Sequence, residues 1–176
     1  MADCRAALGD LQGAVEAIRS SQEASPRDVR LRKREVRLWR RLGQRGQARR
    51  AYESALPLAP DDARLRVRLG ELLRDMGEAK EAIRRLREAV ELDPEPASYW
   101  NSLGMVLGAQ ERLAEAEKAF RQAWQRDDSN AQYAYNIGLV LLRLGRTEEA
   151  RGFFKTTLDL EPGSEAARRQ LADIRP

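Results

Sequence analysis

The sequence predicts an all-α fold, a stack of antiparallel helix hairpins repeated every 34 residues, and three recurrences predict it. Alanine falls at 14, 48, 82, 116 and 150, each 34 residues after the last. Glycine keeps the same step at 9, 43, 77 and 145, with Glu111 standing in once. A large residue does likewise at Ile18, Tyr52, Leu86, Phe120 and Phe154. A period of this length belongs to repeat architectures, in which each unit buries its apolar face against its neighbours.

Each slot has a mechanical reason. Glycine after an amphipathic run such as Leu38, Trp39 and Leu42 suits the left-handed residue that ends one helix and lets a second turn back. Alanine is small enough for two helix backbones to approach closely. The large residue four positions on lies on the same face, one turn along, and fills the space between hairpins. Proline at 26, 60, 94 and 162, with Asp128 standing in once, punctuates the end of the second helix, where its missing N–H matters least.

The elements follow in order. Residues 1–28 form a partial N-terminal repeat: its second helix, about Leu11 to Glu23, is in register, while its first has room for only about eight residues. An incomplete unit exposes apolar area, so self-association through this open face, or further repeats, is expected to cover it. Residues 29–62 are a degenerate repeat that keeps Trp39 and Tyr52 in large core slots but places Glu35 and Val36 where leucine and glycine are expected. Arg5 occupies an equivalent core slot in the unit before, and a Glu35–Arg5 contact is expected to satisfy both charges. Repeats 63–96, 97–130 and 131–164 follow, with Trp100 in a core slot and Trp124 near a packing face. Residues 165–176 supply a C-terminal capping helix with Ala166, Ala167, Leu171 and Ile174 set among charged residues. The whole is expected to be one contiguous domain.

These residues carry a resemblance. Trp100, Leu103, Gly104, Leu107, Ala116, Phe120 and Ala123 match the tetratricopeptide repeat pattern in order. Leu69, Gly70, Leu73, Ala82, Leu86, Ala89 and Pro94 follow it one unit earlier, and Ile137, Gly138, Leu141, Ala150, Phe154 and Pro162 one unit later. The chain resembles that family over nearly its whole length. The resemblance implies a right-handed α-solenoid whose concave face, lined by the first helix of each repeat, binds a peptide or protein segment. The lining slots, which share one side of a helix, read Arg30, Lys33, Arg37 and Arg40, then Arg64, Val67, Glu71 and Arg74. The later repeats give Ser98, Asn101, Met105 and Gly108, then Gln132, Tyr135, Leu139 and Leu142, with Arg68 and Asn136 added to the same surface.

The expected groove is therefore basic in its N-terminal half and polar to apolar in its C-terminal half. A protein or peptide partner with acidic residues fits the first, because arginine pairs with carboxylates bidentately. Asn101 and Asn136 can hold a partner's backbone, and Tyr135 offers a stiff amphipathic contact. The clamp with which some family members hold chaperone C-termini is not matched, because its slots here read Lys33, Arg37, Arg68, Ser98 and Ser102.

Composition bears on the other function classes. The chain has no histidine and a single cysteine, Cys4, which argues against a metal site and against the commonest general base. No catalytic residue, metal or cofactor is expected, and the protein is read as a scaffold rather than an enzyme. No apolar run approaches the roughly 20 residues of a membrane span and the start lacks a secretory pattern, so cytoplasm is the default location. The net charge of +4 conceals an uneven distribution, since residues 27–50 hold eleven Lys or Arg against two acids. That block supports an alternative, electrostatic binding of nucleic acid or an anionic surface. Against it, Trp39 is committed to the core and leaves no aromatic free to stack on bases. The acids Asp61, Asp62, Asp127 and Asp128 lie at turns between repeats, where helix caps want them. Gly104 and Gly108 form a GxxxG spacing, but with no membrane span around it the glycines serve helix packing.

Overall fold

The computed structural model describes residues 10–174. Among them every regular element is helical. The helices are α1 (Leu11–Ala24), α2 (Val29–Arg41), α3 (Arg45–Ala55), α4 (Ala63–Asp75), α5 (Ala79–Leu92), α6 (Ala97–Ala109), α7 (Leu113–Arg126), α8 (Ala131–Arg143), α9 (Thr147–Leu160) and α10 (Glu165–Asp173). A short 3₁₀ turn, Leu56–Leu58, extends α3. The chain forms two compact units, Met1–Glu78 and Ala79–Pro176. In the first, α1 to α4 pack successively; in the second, α5 to α10 do.

The turns are made as the recurring glycines predict. Gly43, Gly77 and Gly145 take φ of 68°, 80° and 75°, and Glu111, in the same slot, is forced to 57°. Each closes its helix with a Schellman pair. In the first, Gly43 N donates to Arg40 O at 3.1 Å and Gln44 N to Trp39 O at 3.0 Å. The equivalent outer bonds run from Glu78 to Leu73, Arg112 to Leu107 and Arg146 to Leu141. At the other ends, Asp10, Asp28, Asp62 and Asn130 cap α1, α2, α4 and α8 through their side-chain oxygens. Of the four acids expected as caps, Asp62 is the one that serves. Asp127 instead accepts from Ser129 Oγ at 2.7 Å, because Asn130 already occupies the residue before α8.

In the first unit the core gathers Val15 and Ile18 of α1, Val36 and Trp39 of α2, Tyr52 of α3, and Leu69 and Leu73 of α4, all almost wholly buried. In the second, Leu86, Leu107, Phe120, Ile137, Leu141 and Phe154 play this part. The recurring alanines at 14, 48, 82, 116 and 150 have no exposed surface. Gly104 and Gly138 lie directly under the rings of Phe120 and Phe154. A Cβ on Gly104 would fall 2.6 Å from Phe120 Cδ1, and one on Gly138 2.7 Å from Phe154 Cε1.

Several expectations are corrected. Val67, placed in the groove, is buried. Leu65, Val67 and Leu69 are all covered, and since they lie about 200° apart in succession, α4 is enclosed on more than one side. Trp100, placed in the core, is only half-buried. It sits on the first turn of α6, where its Nε1 donates to Pro94 O at 2.7 Å and the Arg126 guanidinium lies 5.1 Å over its ring. Tyr99 is the buried residue of that turn. Trp124, also half-buried, meets Phe153 edge to face at 6.4 Å. Ala167 of α10 and Ile174 just past its end are buried, whereas Ala166 is exposed. The expected first helix of the N-terminal unit, with Arg5 and Cys4, lies outside the described residues.

The ring contacts make a stability prediction. Gly104→Ala drives a methyl into the ring of Phe120, which must shift to admit it, and is expected to destabilise the protein by about 1–3 kcal/mol. Gly108→Ala meets nothing closer than Ala116 Cβ at 3.8 Å and is expected to be neutral or to stabilise by up to about 1 kcal/mol through helix propensity. Urea unfolding of both variants followed by circular dichroism measures the contrast; equal stabilities would remove the assigned role of Gly104.

Candidate functional site

Two sides of α2 have opposite characters, and sequence spacing sets both. Toward the interior, Glu35 is buried beside Val36, Leu38 and Trp39. Its Oε1 accepts from Trp39 Nε1 at 3.1 Å and Arg19 Nε at 3.3 Å, and its Oε2 from Gln22 Nε2 at 3.0 Å. Arg32 Nη1 stands 3.7 Å from Oε2 and donates to Gln22 Oε1 at 2.6 Å. Residues of α1 and α2 thus satisfy the carboxylate for which Arg5 was the expected partner. Burial pushes the Glu35 carboxyl up, but the bonds from Gln22, Trp39 and Arg19 outweigh it and hold it below its ordinary 4.5.

Toward the exterior, successive turns of α2 carry Arg30, Lys33 with Arg34, Arg37 and Arg40. Across from them stand Arg64 and Arg68 of α4, with Tyr52 of α3, Val36 and Leu65 beneath. Together with Asp62 these residues enclose a concavity of about 760 Å³. Seven cations face a single carboxylate there. Asp62 Oδ1 accepts from Leu65 N at 2.9 Å, capping α4, while Oδ2 pairs with Lys33 Nζ at 2.5 Å. Burial raises the Asp62 carboxyl, and the Lys33 and Leu65 hydrogen bonds bring it below its ordinary value. Burial also pushes the Tyr52 hydroxyl up, against the pull of the nearby Arg40 charge. Arg68 is paired with Glu71 at 3.0 Å.

Six of the residues expected in the basic half therefore meet here: Arg30, Lys33, Arg37, Arg40, Arg64 and Arg68. Glu71 and Arg74 do not line the concavity, and Arg74 turns to Asp75 at 2.9 Å. Sequence reasoning passed over Arg34 and Asp62. Arg34 was legible as the i+4 neighbour of Arg30, whereas Asp62 was read only as a cap.

In the second unit a smaller hollow of about 350 Å³ lies among Met105, Gly108, Asn136, Leu139, Leu142, Arg143 and Gln170. Met105 is 44% exposed. A file of amides borders it: Gln132 Nε2 donates to Asn136 Oδ1 at 2.9 Å, Asn136 Nδ2 to Asn101 Oδ1 at 2.8 Å, and Asn101 Nδ2 to Met105 Sδ at 3.7 Å. Tyr135 stands apart from the hollow, half-buried, with its ring 5.6 Å from that of Phe154. Arg143 and Gln170 were not anticipated. Arg143 Nη1 reaches Gly108 O at 3.0 Å and its other amino group pairs with Glu111, while Gln170 arrives from α10.

Family models described as tetratricopeptide repeat match residues 40–105 and 101–165. The chain belongs to the tetratricopeptide repeat family. Solved structures agree on the fold. MamA superposes with a TM-score of 0.86 at 23% identity, over 92% of this chain and 95% of that one. YrrB, described as a TPR protein with an unusual peptide-binding site, gives 0.84 at 21%, over 96% and 87%. A tetratricopeptide repeat protein from Parabacteroides merdae gives 0.86 at 18%, over 98% and 69%. A comparison with curated protein sequences finds no match. As a tetratricopeptide repeat chain, it carries both hollows on α2, α4, α6 and α8, the first helices of the 34-residue pattern. Among the described residues no three His, Cys, Asp or Glu side chains converge as metal ligands, and no helix is long and apolar enough to cross a membrane.

The Glu35 network makes a pH prediction. A carboxyl whose folded-state pKa is depressed contributes stability that is complete above its unfolded value, about 4.3 to 4.5, and is lost as pH falls through the folded one. Glu35→Gln is expected to cost about 1–3 kcal/mol at pH 7, and the difference from wild type should shrink below about pH 4. Urea titrations at both pH values measure it. A difference that persists unchanged in acid would show that the carboxylate charge contributes nothing.

Proposed function

We propose that the protein is a non-catalytic scaffold that holds segments of another protein on the surfaces of its first helices, with a basic site in one unit and a polar to apolar site in the other. The observation that carries this reading is the basin of seven cations around one carboxylate, set over a floor of Val36, Tyr52 and Leu65. Fixed positive charge on a rigid helix pair is suited to carboxylates, and arginine forks add direction to the attraction. The second hollow suits an apolar side chain. Its exposed Met105 adapts to varied shapes, and the amides of Asn101 and Asn136 can exchange their mutual bond for bonds to a partner's backbone. That YrrB has a peptide-binding site is in keeping with this reading.

Electrostatic binding of nucleic acid is the competing reading, and ionic strength separates the two. Nucleic-acid affinity falls steeply with salt, by roughly 10³–10⁵ between 50 and 200 mM for a protein making six to ten phosphate contacts. A protein segment gripped in the second hollow, at Met105 and Leu139, should retain most of its affinity over that range. Binding to a peptide array is the direct test. Met105→Ala and Leu139→Ala, both in the lining of the hollow, are each expected to weaken the apolar array hits about 5-fold, as the loss of roughly 1 kcal/mol of contact implies. If both leave every hit unchanged, the second surface is wrongly assigned.

A further inference from the structure

We propose that the basin is a stability switch: its unanswered cations hold the first unit below the stability its packing would give, and a multivalent anionic occupant restores it. The inference rests on the scaffold reading for the occupant of the basin and adds what that occupant does to the protein.

Charge is divided unequally between the two units. Residues 10–78 hold sixteen Lys or Arg against eleven Asp or Glu, whereas residues 79–176 hold fifteen against sixteen. The excess is concentrated on α2. Its one acid, Glu35, is buried and bonded on the inner side, so Arg30, Lys33, Arg34 and Arg37 follow one another at spacings of three and four residues with no acid of their own helix among them. Like charges at that spacing destabilise a helix. Arg30, Arg37 and Arg64 have no hydrogen bond or ion pair among the described residues, and Asp62 is the single acid in the lining of the basin.

Helix dipoles act in the same direction. The N-terminal end of a helix carries partial positive charge, which favours acids and disfavours bases. Arg30, Arg45 and Arg64 lie in the first turns of α2, α3 and α4, and those turns hold no acid. In the second unit Glu81, Glu115, Glu148 with Glu149, and Glu165 lie in the first turns of α5, α7, α9 and α10. Cations there are also answered across helices, Arg87 by Glu115 at 2.6 Å and Arg146 by Glu117 at 2.7 Å. Salt therefore relieves repulsion in the first unit and weakens attraction in the second. An occupant adds stability only by as much as it prefers the folded basin to the unfolded chain, and cations gathered on two neighbouring helices give a multivalent anion that preference.

Hydrogen exchange of the full chain reads each unit through its own amides. Between about 10 and about 150 mM NaCl, as the screening length falls from about 30 to about 8 Å, exchange in α2 and α4 is expected to slow about 3-fold and exchange in α7 and α9 not to slow. Inorganic tripolyphosphate at about ten times its dissociation constant should slow α2 and α4 about 10-fold and leave α7 and α9 unchanged. Arg30→Gln and Arg64→Gln should each slow exchange in α2 and α4 about 3-fold at low salt, the reverse of what loss of a structural contact does. Asp62→Asn keeps a side-chain oxygen to cap α4 and should quicken exchange there at low salt, less so at physiological salt. Circular dichroism confirms that each variant is folded.

Equal slowing of both units by tripolyphosphate, faster exchange of α2 and α4 in salt, or faster exchange in both arginine variants would each overturn the proposal. The peptide array separates this failure from that of the scaffold reading. Array hits beside a first unit that does not respond to tripolyphosphate leave the scaffold standing without the switch. A response to tripolyphosphate beside an array without hits leaves the switch standing with an occupant that is not a protein segment.

Discussion

Two helix backbones can approach each other most closely only where side chains are absent or reduced to a methyl, and that constraint governs this protein. Ala48 and Ala116 have no exposed surface, and Gly104 and Gly138 lie under Phe120 and Phe154 at distances that exclude a Cβ. A bare backbone on one helix receives a ring from its partner, so the hairpin closes at one separation and rotation. With its inner side committed in this way, a first helix presents a fixed outer side, and what that side carries becomes the functional surface.

The consequence is clearest in α2. Its inner side accepts even a carboxylate, because Glu35 finds Trp39, Gln22 and Arg19 waiting. A buried charge that loses its partners is costly, whereas one fully bonded is tolerated and fixes which helices pack together. The outer side can then be almost wholly cationic without unfolding the helix, since its neighbour α4 is pinned by the apolar contacts of Leu69 and Leu73 and by the Asp62 cap. At Lys33–Asp62 the cationic side is answered from within the basin.

Much of this was legible in the order of residues. The helix ends at Gly43, Gly77 and Gly145 follow from the left-handed backbone that glycine tolerates, and even Glu111 was marked by its register as a residue forced to φ 57°. Helical periodicity likewise brought out Arg30, Lys33, Arg37 and Arg40 as one side of a helix. Where periodicity misled, the cause was local. Val67 has the register of an outward residue but lies on a helix covered on more than one side. Trp100 has the register of a core residue but is drawn to the Pro94 carbonyl at the mouth of its helix.

The sequence by itself determined the family, the hairpin ends, the small-residue contacts and the charge of each helix side, because these depend on spacing along one chain with a period of 34 or 3.6. Only the tertiary structure decided which charges remain unpaired. Two of the partners of Glu35 came from α1, 13 and 16 residues away, and Asp62 reached back 29 positions to Lys33. Such pairings depend on how one helix is set against the next, a separation and rotation fixed by packed side chains and not by any recurrence in the sequence. For the same reason Asp62, read along the chain as a cap and nothing more, became the residue that answers the basic surface.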